Sequence, residues 1–276
     1  MKWQLSLQQE SLPPTHKMFY GTLFALSFLW RLPLRVYPQS ERDFQKGIPF
    51  FPLAGFLEGL FLFLTTQLLF SRISEVLLSI VLVVVLLHIR GIFHLDGLGD
   101  TFDALSYRGN LDPKEDKEKR LAIMKDSTIG VAGVLAISLA IIGKVSLFNE
   151  ILKKGAFYVF ILPYFFSRLF LVYWLYRGKP AKEEGLGYLM ISLTNLKIFT
   201  YAMIVSAFLL GIFLMLTKFD MRDLFWILIS NAVILWYFKR YCEKRFSGLT
   251  GDNLGALVIL SELITLSYLG VLWQKP

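Results

Sequence analysis

Seven stretches of this chain stay apolar for about twenty residues each, roughly at 50–70, 74–95, 129–148, 155–176, 198–217, 224–242 and 254–273. A helix of about twenty apolar residues crosses ~30 Å of hydrocarbon. Only helices and closed barrels satisfy their backbone there, and barrel strands alternate apolar with polar positions. These runs do not alternate. The sequence therefore predicts an all-α, polytopic integral membrane helical bundle of about seven transmembrane helices, one transmembrane domain over residues 1–276. The composition agrees, with 18% charged residues against the ~25% of soluble proteins. A shorter apolar stretch, MFYGTLFALSFLW at 18–30, is stopped by Arg31, Pro33 and Arg35 and reads as a re-entrant or interfacial segment. The N-terminal MKWQLSLQQESLPPTHK lacks a signal-peptide pattern, and the single cysteine, Cys242, excludes an internal disulfide.

Lys and Arg orient the spans, because cytoplasmic loops carry the excess of them. Twenty fall on the face that holds the N-terminus and the 96–128, 177–197 and 239–253 loops; six fall on the other face. The remaining three, Arg90, Lys144 and Arg168, lie inside spans. The net charge of +8 thus marks a cytoplasmic face of an inner membrane rather than a nucleic-acid partner. The polar, glycine-bearing stretches share that face: RLP at 31–33, HLDGLGDTFDA at 94–104, IMKDSTIG at 123–130, AKEEGLG at 181–187 and GLTGDNLGA at 248–256. One cytoplasmic site assembled from several loops accounts for this placement.

Asp96, Asp100 and Asp103 are spaced i, i+4, i+7 and share one helix face. Like charges so placed repel, and near lipid they are expensive. All-oxygen ligands suit Mg²⁺ or Mn²⁺ and not zinc. Magnesium fills its shell with water and substrate phosphates, so a metal-held diphosphate is expected at these three residues. The alternative is a solvated helix start with Asp96 as a capping residue. His94 is placed to orient a carboxylate or pass a proton, or else is satisfied by backbone; His88 is expected on the same helix. Arg168 is too deep to snorkel and needs an anion, either a buried carboxylate or a substrate phosphate. Lys144 has an outward path to the opposite face. Lys125 and Asp126 stand at the mouth of the third span, where Lys125 either offsets phosphate charge or simply marks the inside. Glu262, about two and a half turns inside the last span, should face the bundle or a cavity. EDKEKR at 115–120 reads as a solvated face.

These motifs together resemble the cobalamin synthase family, the adenosylcobinamide-GDP ribazoletransferases. HLDGLGDTFDA is similar to that family's HLDGLADTxDG signature. SFLWRLP, FPLAGFLEG, IMKDSTIG, the Ser167–Arg168 pair followed by AKEEGLG, and GLTGDNLGA followed by Glu262 resemble its other conserved segments in the same order. The chain departs at Ile92, Ala122, Thr128 and Ile259, where the family commonly has glycine, glutamate, arginine and glutamate. The resemblance implies that adenosylcobinamide-GDP and α-ribazole, or its 5′-phosphate, are joined to give adenosylcobalamin, or its phosphate, and GMP. Mg²⁺ or Mn²⁺ on Asp96, Asp100 and Asp103 would hold the diphosphate. His94 or Asp126 would be the base, and Lys125 would offset charge. Substrate-binding roles would fall to Arg31, Arg168, Glu184, Glu262 and Asp252, the last of these either contacting ribazole or a second metal or only capping a turn. Expected partners are the bilayer and these small molecules, with homo-oligomerisation left open. The alternatives are another aspartate-rich membrane transferase acting on diphosphates, of the CDP-alcohol phosphotransferase or prenyltransferase kind, or a transporter using the acids as a cation path.

Overall fold

A computed structural model describes residues 14–31, 40–109, 112–217 and 219–274, with side chains from Tyr20 onward in the first segment. Leu32, Pro33 and Arg35 of the expected stop signal lie outside the described residues, as do Lys2, Lys218 and Lys275 and the side chain of Lys17, all used above for orientation. The described chain is helical: α1 Pro14–Leu29, α2 Glu41–Gly47, α3 Phe51–Leu69, α4 Glu75–Arg90, α5 Phe93–Ser106, α6 Pro113–Ile123, α7 Val131–Lys154, α8 Ile161–Arg177, α9 Leu186–Leu193, α10 Leu196–Thr217, α11 Met221–Phe246 and α12 Gly251–Ser267.

Six segments are long and apolar enough to cross a membrane: Glu41–Leu69, Val131–Lys154, Phe157–Arg177, Leu196–Thr217, Met221–Phe246 and Gly251–Leu272. The expected span at 74–95 is different. It breaks after Arg90, and α4 and α5 meet at 95°. Gly91 makes the break with φ of +71°, a conformation open to glycine at little cost. The Arg31 N–H covers the helix end by donating to the Ile89 carbonyl at 2.6 Å. His88 therefore ends α4 while His94 begins α5, and the two do not share a helix. In α1 the described apolar part, Tyr20–Leu29, is too short for a span. It buries Phe24, Ala25 and Leu29 in the core shared with α2 and α3.

Local chemistry sets the other ends. Ser40 and Asp43 form a capping box at α2. The side chains of Ser74, Asp112 and Asp220 accept N–H bonds at the starts of α4, α6 and α11, and Thr250 with Asn253 forms a capping box at α12. α6 is not the purely solvated face expected of EDKEKR. Arg120 is buried, donates to the Ala104 carbonyl at 2.6 Å and lies over the Tyr107 ring. It ties α6 to the end of α5.

Helices α3, α8 and α12 form the centre, while α7, α10 and α11 leave most of their apolar surface outward, as Leu139, Phe208 and Tyr237 do. Such surface suits lipid. Five helices each send one charged side chain inward. Arg90 of α4 pairs with Glu262 of α12 at 2.5 Å and with Glu58 of α3 at 3.5 Å. Arg168 of α8 bonds Glu58 at 2.8 Å and Glu262 at 3.1 Å. Lys144 of α7 bonds the other Glu262 oxygen at 2.5 Å, so it does not snorkel outward. All five are buried. Removing one member of a buried ion pair typically costs about 3–5 kcal/mol, because its partner's charge stays buried. Glu262→Gln should therefore lower the thermal unfolding midpoint in detergent markedly. An unchanged midpoint would mean that the network does not hold the bundle.

Candidate active site

Helix α5 runs across the N-terminal ends of α7 and α12, and missing side chains allow the approach. A Cβ on Gly97 would stand 2.9 Å from the Asp252 carbonyl oxygen, and one on Gly133 of α7 would stand 3.0 Å from the Gly99 carbonyl oxygen. Gly255 of α12 also faces His94 and Gly97, though a Cβ there would meet them only at ordinary contact distance. Small residues at helix crossings bring backbones together, which explains the glycines in HLDGLGD and TGDNLGA. The Asn253 amide donates to Thr101 at 3.1 Å and fixes the register of α12 on α5.

The crossing gathers the acidic residues. Asp96, Asp103 and Asp252 all lie close enough to Asp100 to act on its charge. Asp96 is exposed and Asp100 half-buried, and among the described residues neither carboxylate has a hydrogen bond or ion pair. Asp103 differs from its expected role. Its two oxygens accept the Gly130 and Gly133 N–H groups, each at 2.7 Å, so it caps α7 from another helix. The expected three-aspartate cluster does not converge: among the described residues no group of three His, Cys, Asp or Glu side chains is placed to hold one ion. Asp96 and Asp100 still suit a hard cation, since they are all-oxygen and unpartnered, and magnesium usually takes only one or two carboxylates. The N-terminal ends of α7 and α12 also favour negative charge nearby.

The other expected residues divide into rim and foundation. Lys125 and Glu184 are exposed and 3.9 Å apart, bringing the α6–α7 and α8–α9 loops together. Asp126 accepts the Thr128 N–H at 2.9 Å and its hydroxyl at 2.6 Å. These bonds hold the Asp126 carboxyl below the usual carboxylate range. Arg31 is exposed, with its side chain against Gly91 at the α4–α5 break. Asp252 is half-buried and feels Lys182. Arg168 and Glu262 were expected to bind substrate, but both are fully buried in the ion network and have no surface to offer. Of the two anions left open for Arg168, the structure supplies carboxylates.

His94 is buried, and the charges of Arg168, Arg90 and Lys144 act on it from the network. It also lines a half-open cavity of about 220 Å³ between α1, α5, α9 and the start of α12. Lys182, in the same AKEEGLG stretch as Glu184, lines this cavity and was not singled out from sequence. Its signal was present as the only cation in that glycine-bearing segment. The loops that close the cavity are stitched by backbone: Ala181 N–H donates to Leu249 at 2.9 Å and Leu249 N–H to Lys179 at 2.7 Å. HLDGLGD, AKEEGLG and GLTGDNLGA thus meet at one place. KDST joins them through Lys125, and a wider open groove runs from Asp103 to Asp126.

A family model described as cobalamin-5-phosphate synthase matches residues 21–270. The chain is 40% identical over 248 residues to the adenosylcobinamide-GDP ribazoletransferase of Thermodesulfovibrio yellowstonii, covering 88% of this chain and 93% of that one. It is 32% identical over 255 residues to the protein of the same name from Clostridioides difficile, covering 91% and 96%. No solved structure matches.

Capping by Asp103 and the freedom of Asp100 make opposite predictions for stability. Asp103→Ala should cost about 1–2 kcal/mol, the usual loss for a helix cap, whereas Asp100→Asn should be neutral or stabilising because it relieves like-charge repulsion. Thermal unfolding of the two variants in detergent, side by side, reads the difference.

Proposed function

The chain belongs to the cobalamin-5-phosphate synthase family, and on that footing we propose that it joins adenosylcobinamide-GDP with α-ribazole or its 5′-phosphate, releasing GMP. The observation that carries this reading is the pair of unpartnered carboxylates, Asp96 and Asp100, presented with Asp252 at the N-terminal ends of two helices beside a half-open cavity. A ribose hydroxyl attacks the phosphorus attached to cobinamide. The bond between that phosphorus and the GMP oxygen breaks, and GMP leaves with the electron pair. A loose phosphoryl-transfer transition state asks the protein mainly for position and charge, with little need of a strong base.

The chain's residues then have the following roles. Asp96 and Asp100 would hold Mg²⁺ or Mn²⁺, which when bound supplies a positive charge for the diphosphate as charge moves toward GMP. Asp103 keeps α7 seated on α5, so the carboxylates stay in place. Lys125 and Lys182 stand at the rim, able to offset phosphate charge, and Arg31 flanks the α4–α5 break. Asp252 and His94 face the acceptor side, where they orient the hydroxyl and take up its proton, directly or through water. Arg168 and Glu262 act only through the framework. We place this face in the cytoplasm, supported by the twenty-to-six division of Lys and Arg between the two faces.

The test is an assay of the purified protein in detergent with adenosylcobinamide-GDP and α-ribazole, following GMP. Release should require a divalent cation and should stop on chelation. Asp100→Asn should fall at least ~100-fold, the scale lost when one transition-state charge contact is removed, while keeping its unfolding midpoint. Full activity in that variant refutes the assignment.

A further inference from the structure

The two proposed substrates differ greatly in size, and so do the two openings beside the acidic face. The cavity lined by His94 holds about 220 Å³, less than the ~300–1,000 Å³ of pockets for drug-sized ligands. It has room for one fused-ring base and none for a corrin ring. Its walls are mainly apolar: Phe28 and Leu29 from α1, Leu171 from α8, Met190 from α9 and Leu254 from α12. Lys182, Glu184, Thr250 and Asp252 add polar groups to the lining. The groove between Asp103 and Asp126 is open and close to three times as large, about 620 Å³.

We propose that the cavity holds the fused-ring, largely apolar base of the nucleoside acceptor, a benzimidazole-type ring, with its ribose at the Asp252 end. This rests on the ribazole-transfer reading above. Asp252 belongs both to the cavity and to the acidic cluster. A base seated among Leu29, Leu171 and Met190 thus delivers its ribose to the place where the diphosphate would be held. The larger cobinamide–nucleotide partner is left the open groove on the far side of α5. A guanine base fits the walls poorly. Guanine has more edge donors and acceptors to satisfy than a benzimidazole-type ring, and a buried group left unpaired is costly, so the mainly apolar walls favour the latter. His94 also belongs to the lining: it is buried, and among the described residues its Nδ1 has no hydrogen-bond partner. That matches the single ring nitrogen a benzimidazole nucleoside leaves free.

The cavity then sets which base is accepted, and Met190 is the residue to vary, since it lines the cavity and has no part in the acidic cluster. Met190→Phe should raise the KM for α-ribazole at least ~10-fold, the scale on which a close-fitting apolar pocket discriminates by one or two carbon atoms. The KM for adenosylcobinamide-GDP should stay within about twofold on the same scale. Met190→Ala should improve the relative use of a ribazole with a bulkier base and should not raise the KM for the nucleotide. If Met190→Phe does not fold, as judged by its unfolding midpoint, Met190→Ala decides alone. A change in the KM for adenosylcobinamide-GDP, with that for ribazole unmoved, would place guanine in the cavity and overturn the proposal. No change in either would empty it of any substrate. If the wild-type protein released no GMP at all, the transferase reading itself would fall. Normal GMP release with the wrong KM pattern would sink only the cavity assignment.

Discussion

Three cations and two carboxylates are buried where five helices meet, and the rest of the structure is arranged around them. In hydrocarbon an isolated Arg or Lys is penalised by several kcal/mol. Here Arg90, Lys144 and Arg168 share Glu58 and Glu262, one residue from each of α3, α4, α7, α8 and α12. No two of these helices can slide without breaking a charged contact. Buried pairs are weak sources of net stability, because desolvation offsets their attraction. Their strength is in register, and register is what a site assembled from loops on several helices requires. Arg90 is the last residue of α4, so the same contacts that lock the bundle also fix the point from which α5 departs.

From that point the chain turns by 95°, and α5 is held by close backbone approach together with the Asp103 and Thr101 contacts. Gly97, Gly133 and Gly255 bring it against α7 and α12. Aspartates that would be intolerable along a lipid-facing helix are thereby placed at two helix N-termini, where unpaired N–H groups and the dipole favour negative charge. Asp103 satisfies two such N–H groups directly. Asp96 and Asp100 gain from the same environment without being consumed by it. This distinction between a structural and an available carboxylate depends on what stands opposite each one.

That dependence explains what could be read in the sequence. Long apolar runs announce their helices, and six segments are long and apolar enough to cross a membrane. The break at Gly91 was hidden because Ile92, Phe93 and Leu95 continue the apolar run. Only the backbone conformation of one glycine separates a straight span from two helices. The i, i+4, i+7 spacing correctly placed three aspartates on one face. It could not show that the amides of Gly130 and Gly133, some thirty residues away, would claim the third. Arg168 announced that it needed an anion, but Glu58 and Glu262 are roughly one hundred residues to either side, and a substrate phosphate would have satisfied the same rule. Arg120 shows the converse. Within EDKEKR it looks like one charge among many on a wet helix, and its burial against the Ala104 carbonyl follows only from where α6 docks.

The layers of charge also constrain how a diphosphate can approach. Cations lie beneath α5 and carboxylates lie on it, with His94 between them under the influence of Arg90, Arg168 and Lys144. An anion arriving from outside meets Asp96, Asp100 and Asp252 first, and the buried cations are both out of reach and already engaged. Lys125 is held toward Glu184 and Lys182 faces Asp252, so neither lysine neutralises the Asp96–Asp100 pair. The outer face therefore has the wrong sign for a pyrophosphate on its own. Repulsion between a dianionic group and a carboxylate pair one helical turn apart is relieved by a small cation shared between them, and side chains cannot supply it from the positions they occupy. The same acidic layer would leave an unphosphorylated ribazole unopposed, so that form of the proposed acceptor could enter the cavity beside Asp252 by shape and apolar contact. On the proposed reading, electrostatics in this arrangement would sort the two substrates before chemistry begins: a shared cation would favour the diphosphate, and an uncharged acceptor would not need one.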